Sequence, residues 1–129
     1  MKAKLGFAIL CGAFPLLAHH SFELKYARNR PLTLVGVVTR VEWINPHTLF
    51  YVDVKDESGK VVTWTFETAP PSALIMRGWT RDSMKVGDMI TVHAYGAKDG
   101  SNVATARTVT LADGRKVFGG SLEDKGPPE

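Results

Sequence analysis

Cysteine is almost missing: Cys11 is the one thiol in 129 residues. A lone thiol closes no disulfide within the chain and supplies no paired thiolates, so zinc-finger and iron–sulfur chemistry are excluded. Long apolar runs are also missing. The most apolar stretch, Leu5 to Ala18, is shorter than the roughly 20 residues that a bilayer-spanning helix needs. Charge of one sign is scarce as well, with 16 Lys and Arg against 13 Asp and Glu. Arg40, Lys55, Lys60, Arg77, Arg81, Lys98, Arg107 and Arg115 are scattered among acids rather than gathered on one stretch, which leaves no electrostatic case for nucleic acid as a partner. A Gly-rich phosphate loop is absent, and Ser21, Ser72 and Ser83 lack a Gly-x-Ser-x-Gly setting. Glu42, Asp53, Glu67 and Asp82 form no pair at a catalytic spacing. No residue is therefore expected to be catalytic, and nothing in the chain predicts an enzyme.

What the chain does have begins at its start. Met1-Lys2-Ala3-Lys4 followed by the uncharged apolar run to Ala18 reads as an export signal. Cleavage is expected after Ala18, with a cut after Ala13 or an uncleaved anchor as the alternatives. The expected mature protein is periplasmic or secreted, with no stable membrane span after cleavage. Cys11 leaves with the signal, the formal charge falls from +3 to +1 as Lys2 and Lys4 go, and about 111 residues remain for one small core.

Alternation of apolar residues predicts strands. Leu32 to Trp43 is the first, with Val35, Val37, Val41 and Trp43 on one face and Gly36 marking a bulge or bend. Thr48 to Lys55 groups Phe50, Val52 and Val54, and the next strand groups Val62, Trp64 and Phe66. Pro70-Pro71 can open a short helix that Gly78 ends as a left-handed cap. Met89 to Tyr95 and Val103 to Leu111 are two further strands, with an extension at Lys116 to Phe118. Three strands, a helix and two strands is the order of a five-stranded OB-like antiparallel barrel. A split antiparallel sandwich uses the same elements. The expected boundaries are a signal peptide over 1–18, an amino-terminal arm over 19–31, the β domain over 32–118 and a flexible tail over 119–129.

Several motifs recur as a set: His19-His20-Ser21-Phe22, Trp43-Ile44-Asn45-Pro46-His47, Gly78-Trp79-Thr80-Arg81-Asp82-Ser83 with Gly87-Asp88 behind it, and Val109-Thr110-Leu111 before Asp113-Gly114-Arg115. Together they resemble a family of small exported bacterial proteins known as a domain of unknown function. The chain departs from that pattern at Val86, where the family usually has proline. The resemblance implies a bacterial, periplasmic protein and no particular chemistry.

The histidines carry the functional expectation. Cleavage after Ala18 would give His19 a free α-amine, and amine plus imidazole can close a chelate ring on a borderline metal ion. His47 is expected in the loop after the first strand, aimed by Pro46, so His19, His20 and His47 form the candidate metal set. It suits Cu(II) first, then Zn(II) or Ni(II). His93, on a strand face with Thr91 and Tyr95, is a weaker candidate. Trp43 and Asn45 are candidate ligand-binding residues beside His47, for a small ligand or an envelope protein. Against this stands the plainer reading, in which the His pair is a solvated tail, Asn45-Pro46-His47 is a turn and the domain is structural.

Overall fold

The computed structural model describes residues 24–122 and 124. Among the described residues the strands are β1 (Tyr26–Glu42), β2 (Leu49–Lys55), β3 (Val61–Glu67), β4 (Met89–Ala97), β5 (Val103–Thr110) and β6 (Lys116–Phe118), and helix α1 (Pro71–Met76) lies between β3 and β4. They lie in the order β3-β2-β1-β4-β5-β6, and a parallel pairing of Thr65–Glu67 with Val103–Thr105 joins β3 to β5 and closes a ring of five strands. The OB-like, mostly antiparallel arrangement expected from the sequence is therefore present, with the parallel β3–β5 seam as its one exception.

Strand β1 makes the ring possible by serving two neighbours. Pro31–Val37 pair with β4, and Val37–Glu42 pair with β2. At the crossover sits Gly36, buried, where an added Cβ would overlap the Asp53 carbonyl oxygen and lie 2.7 Å from Val52 Cγ1. Only a residue without a side chain lets the two backbones come this close.

The expected face of β1 holds for half its length. Leu32, Leu34 and Val38 turn inward, whereas Val35 is 53% exposed and Val37 lines the outer surface. A bulge between Val38 and Arg40 inserts Thr39 and reverses the phase, so Val41 and Trp43 do pack on the core as expected. Strand β1 also starts six residues before Leu32, inside the segment expected to be an arm. Elsewhere the alternation is as read. Phe50, Val52 and Val54 of β2 and Phe66 of β3 are buried, with Phe50 and Phe66 stacked at 5.0 Å between ring centroids.

Helix α1 has Pro71 in its first turn and ends at Gly78, whose φ is +92°. Gly78 N–H donates to Ile75 O and Trp79 N–H to Leu74 O, a double closure that returns the buried Trp79 onto the core. The indole Nε1–H donates to Phe118 O at 3.0 Å and so ties β6 beneath the helix. Of the segment expected to be a flexible tail, residues 119–122 and 124 are described, and all but the exposed Leu122 are buried. Gly119 N–H donates to Arg107 O, Arg77 Nη1 donates to Gly120 O, and the buried Asp124 receives Arg107 Nε at 2.7 Å and Nη2 at 3.2 Å. Arg107 is the extra residue of a bulge in β5, opposite His93–Ala94.

Two stability outcomes follow from these contacts. Gly36→Ala should lower the unfolding free energy by about 1–3 kcal/mol, the usual range for overpacking, and move the urea midpoint without changing the slope; an unmoved midpoint would mean that the β1–β2 crossing has room to spare. Asp124→Ala should cost about 2 kcal/mol, less than a fully buried pair because Arg107 keeps 16% of its side chain exposed. A cost near zero in the same titration would show the tail to be unattached.

Candidate functional site

The turn from β1 to β2 carries His47. Asn45–Pro46 is a cis peptide, and Ile44, Asn45 and Pro46 are exposed while His47 is half-buried. The chain re-enters the fold at Thr48, whose N–H donates to Ala69 O. His47 Nδ1 lies 3.1 Å from Thr68 O. A carbonyl only accepts, so Nδ1 carries a proton, and in the neutral form of the ring Nε2 has the lone pair. This is the tautomer and the kind of orienting bond found behind metal-bound imidazoles.

Next to Thr68 stands Glu67, which the sequence offered only as an acid without a catalytic partner. Glu67, the last residue of β3, accepts a hydrogen bond from the buried Tyr26 hydroxyl through one carboxylate oxygen, and from Lys25 Nζ at 2.7 Å through the other. Burial by itself would raise the Glu67 carboxyl. The bonds from Lys25 and Tyr26 outweigh it, helped by the charges of Lys25 and His47, and hold the group below the ordinary glutamate value. Tyr26 moves the other way: burial first, then the hydrogen bond and charge of Glu67, keep its phenol protonated far above the usual tyrosine range. His47, Glu67, Tyr26 and Lys25 thus share one end of the sheet, where β1 begins and β3 finishes. No local spacing announces this, since Lys25 and Glu67 are 42 positions apart.

The remaining candidates are dispersed. Trp43 is half-buried against the core, and the Arg81 guanidinium lies over its ring at 5.4 Å, so a cation covers a face that a stacking ligand would want. Asn45 is exposed beside it. His93 lies on the outer face of β4 with Nδ1 3.0 Å from Thr33 Oγ1, at the first half of β1 rather than at the turn that carries His47. His19 and His20 lie outside the described residues. Among the described residues, no three His, Cys, Asp or Glu side chains converge as a metal group. Among them too, no helix is long and apolar enough to cross a membrane.

A family profile described as a family of unknown function (DUF6152) matches residues 8–106. The chain belongs to DUF6152. The DUF6152 match takes in the His19-His20, Asn45-Pro46-His47 and Gly78–Ser83 motifs, and it stops short of Val109–Arg115. No curated protein matches the sequence. Among solved structures the chain is similar to the mitochondrial single-stranded DNA binding protein Rim1 of S. cerevisiae, at 9% identity and a TM-score of 0.49 over 67% of this chain and 93% of that one. A likeness of this degree concerns fold alone and assigns no ligand. One expectation is withdrawn on other grounds. Scatter along a sequence does not fix how Lys and Arg are grouped in space, and the fold brings Arg28 and Lys98, far apart in the chain, to one concavity, so the expectation that excluded nucleic acid does not stand.

The Glu67 cluster has a definite pH signature. A carboxyl held below its unfolded value stabilises the fold above that unfolded value, about 4.3 for glutamate, and the contribution disappears as pH falls through the lower folded value. Thermal unfolding from pH 6 to pH 3 should therefore show a decline that Glu67→Gln flattens. Equal slopes for the two proteins would place the acid sensitivity elsewhere.

Proposed function

We propose that this DUF6152 protein is a small exported binding module whose mature chain starts at His19. It takes one Cu(II), or with lower preference Zn(II) or Ni(II), between the amine and imidazole of His19 and the imidazole of His47, with His20 as a further donor. The observation that carries this reading is the Nδ1 bond of His47 to Thr68 O, which leaves Nε2 as the metal-facing nitrogen. The entry of the chain supports it. Lys25 is held on Glu67, the residue before the Thr68 whose carbonyl meets His47, and His19 precedes Lys25 by six positions. Six residues can span roughly 20 Å at most, so on this proposal the terminal donors are within reach of the end of the sheet that carries His47. A set of nitrogen donors without thiolate suits Cu(II) at neutral pH. The described residues do not converge into a site by themselves, so tight binding requires the terminal histidine.

A second reading, a protein-interaction domain without metal, draws on a different observation. A surface groove of about 420 Å³ is bordered by Val35, Val37, Val61 and Met89, with Asp53 and Lys55 at its edge. Three of these apolar side chains, Val35, Val61 and Met89, are more than half exposed.

Copper titration separates the two readings. Intact mass should first give a mature chain beginning at His19. That chain should then bind one equivalent of Cu(II), with nitrogen hyperfine structure in its electron paramagnetic resonance spectrum. His47→Ala should weaken binding by at least about tenfold, equivalent to about 1.4 kcal/mol, and one residue added before His19 should abolish the amine contribution. Affinity unchanged in both forms, or a mature chain starting at Ser21, would leave the interaction reading in its place.

A further inference from the structure

Strand β4 carries two rings on its outer face, His93 and Tyr95, two positions and so about 7 Å apart along the strand. Their polar ends are drawn in opposite directions. His93 Nδ1 lies 3.0 Å from Thr33 Oγ1 of β1, whereas the Tyr95 hydroxyl accepts from Arg107 Nη1 of β5 at 3.2 Å. Strands β1 and β5 flank β4 on its two edges. A hollow of about 250 Å³ is bordered by both rings, with Pro31, Leu32 and Ala94 as its apolar surface. Thr108, the neighbour of His93 across the β4–β5 ladder, closes the β5 side.

The walls of this hollow are fixed. The bulge in β5 that makes Arg107 an extra residue sets its guanidinium over the Tyr95 ring, 5.3 Å from the centroid. Buried Asp124 accepts from Nε and Nη2 of the same side chain, which holds Arg107 in place and matches its charge. Swinging Tyr95 inward would break the bond from Arg107, and swinging His93 inward would break the bond with Thr33. The space is therefore kept by hydrogen bonds on both sides rather than left by loose packing.

The lining decides what can enter. The hydroxyls of Thr33 and Thr108 both donate and accept, and the Tyr95 hydroxyl, having accepted from Arg107, still has a hydrogen to donate. His93 Nε2 takes whichever role the Thr33 contact leaves to it. The charge of Arg107 is already matched, so a charged ligand gains nothing over a neutral one. Groups that both donate and accept are best met by ligand hydroxyls, and the apolar surface suits a carbon–hydrogen face. A sugar ring has both. The volume lies below the roughly 300–1,000 Å³ of sites for drug-sized ligands, which limits the occupant to a single ring.

We infer that this hollow binds one neutral pyranose unit, with a C–H face on Pro31 and Leu32 and hydroxyls on Tyr95, His93 and Thr108. The site lies away from the turn that carries His47, and it stands whether or not that histidine binds a metal. A free monosaccharide and the end unit of a glycan present the same ring here.

The test titrates the methyl glycosides of glucose, galactose, mannose and N-acetylglucosamine into the protein as isolated from the cell, followed by amide chemical shifts. At least one should give saturable shifts centred on Thr33, His93, Tyr95 and Thr108. Its affinity should be the same at low and high salt, since no net charge is engaged, and should fall at least about tenfold in the His93→Ala, Tyr95→Phe double variant. A control, Tyr51→Phe, removes a phenol hydroxyl from β2 and should leave the affinity as it was. A parallel arm titrates the methyl glycoside of the disaccharide that ends in the same sugar. Binding kept with the disaccharide assigns the end unit of a glycan; binding lost assigns a free monosaccharide. No saturable shift with any glycoside, an affinity that falls with salt, or one that survives in the double variant while its spectrum stays folded overturns the site.

Discussion

Strand β1 has to pair with β4 along one half and with β2 along the other, and every later feature of the fold depends on its doing both. A strand of 17 residues has two edges, and here each half pairs chiefly along one of them. Where the halves meet, its backbone comes against Asp53 of β2 at Gly36, where a Cβ has nowhere to go. Had the chain a larger residue there, β2 would be pushed outward, and β3 with it. The three-residue parallel seam to β5 that closes the ring would then have no partner in range. The contact is purely steric. It contributes no attractive interaction of its own, yet it decides whether the long-range pairings can coexist.

The bulges are the second constraint, and they explain which parts of the fold were legible in the sequence. Element order, the two central strands and the helix with its glycine stop were readable because nothing interrupts their period: Phe50, Val52 and Val54 alternate inward without a break, and Gly78 closes α1 as a left-handed residue. The faces of β1 were misread at Val35 and Val37 because the inserted Thr39 changes phase partway along. A reader who assumes one phase must choose between Leu32-Leu34-Val38 and Val41-Trp43, and the valines at 35 and 37 tip that choice the wrong way. The start of β1 was hidden for a related reason. Ala27–Arg30 face one residue of β4, so their polarity carries no strand period even though Tyr26 on their far side is buried and paired.

The candidate site shows the same division between local and distant information. His47 could be singled out because Pro46 and Asn45 mark its turn in the sequence itself. Glu67 could not. Its neighbours in sequence make it one more outward polar residue on an alternating strand, and only the fold brings the Tyr26 hydroxyl and the Lys25 ammonium to its two oxygens. The buried phenol needed an acceptor, so once Tyr26 is known to be buried some partner is required, but no sequence spacing names it. Asp124 is a parallel case. It sits in a charged, proline-ending segment that reads as solvated, and the β5 bulge turns Arg107 to meet it.

On the proposed reading, in which the mature chain starts at His19, the Tyr26–Glu67 anchorage also changes what the short amino-terminal extension can do. A histidine six residues ahead of a freely moving strand end would sample a large volume, and its chance of meeting His47 would be correspondingly low. With Lys25 and Tyr26 held on Glu67, the origin of the extension is fixed beside the Thr68 carbonyl that orients His47. Joining the two then resembles closing a short loop from a fixed base. Its entropic cost grows only slowly with length, about 0.6 kcal/mol for each doubling, and the effective concentration of one donor at the other is that of groups on a short tether. The carboxylate therefore need not touch a metal to matter to one. By holding the strand that carries the terminal donors, it would set the affinity of a site to which it contributes no ligand atom.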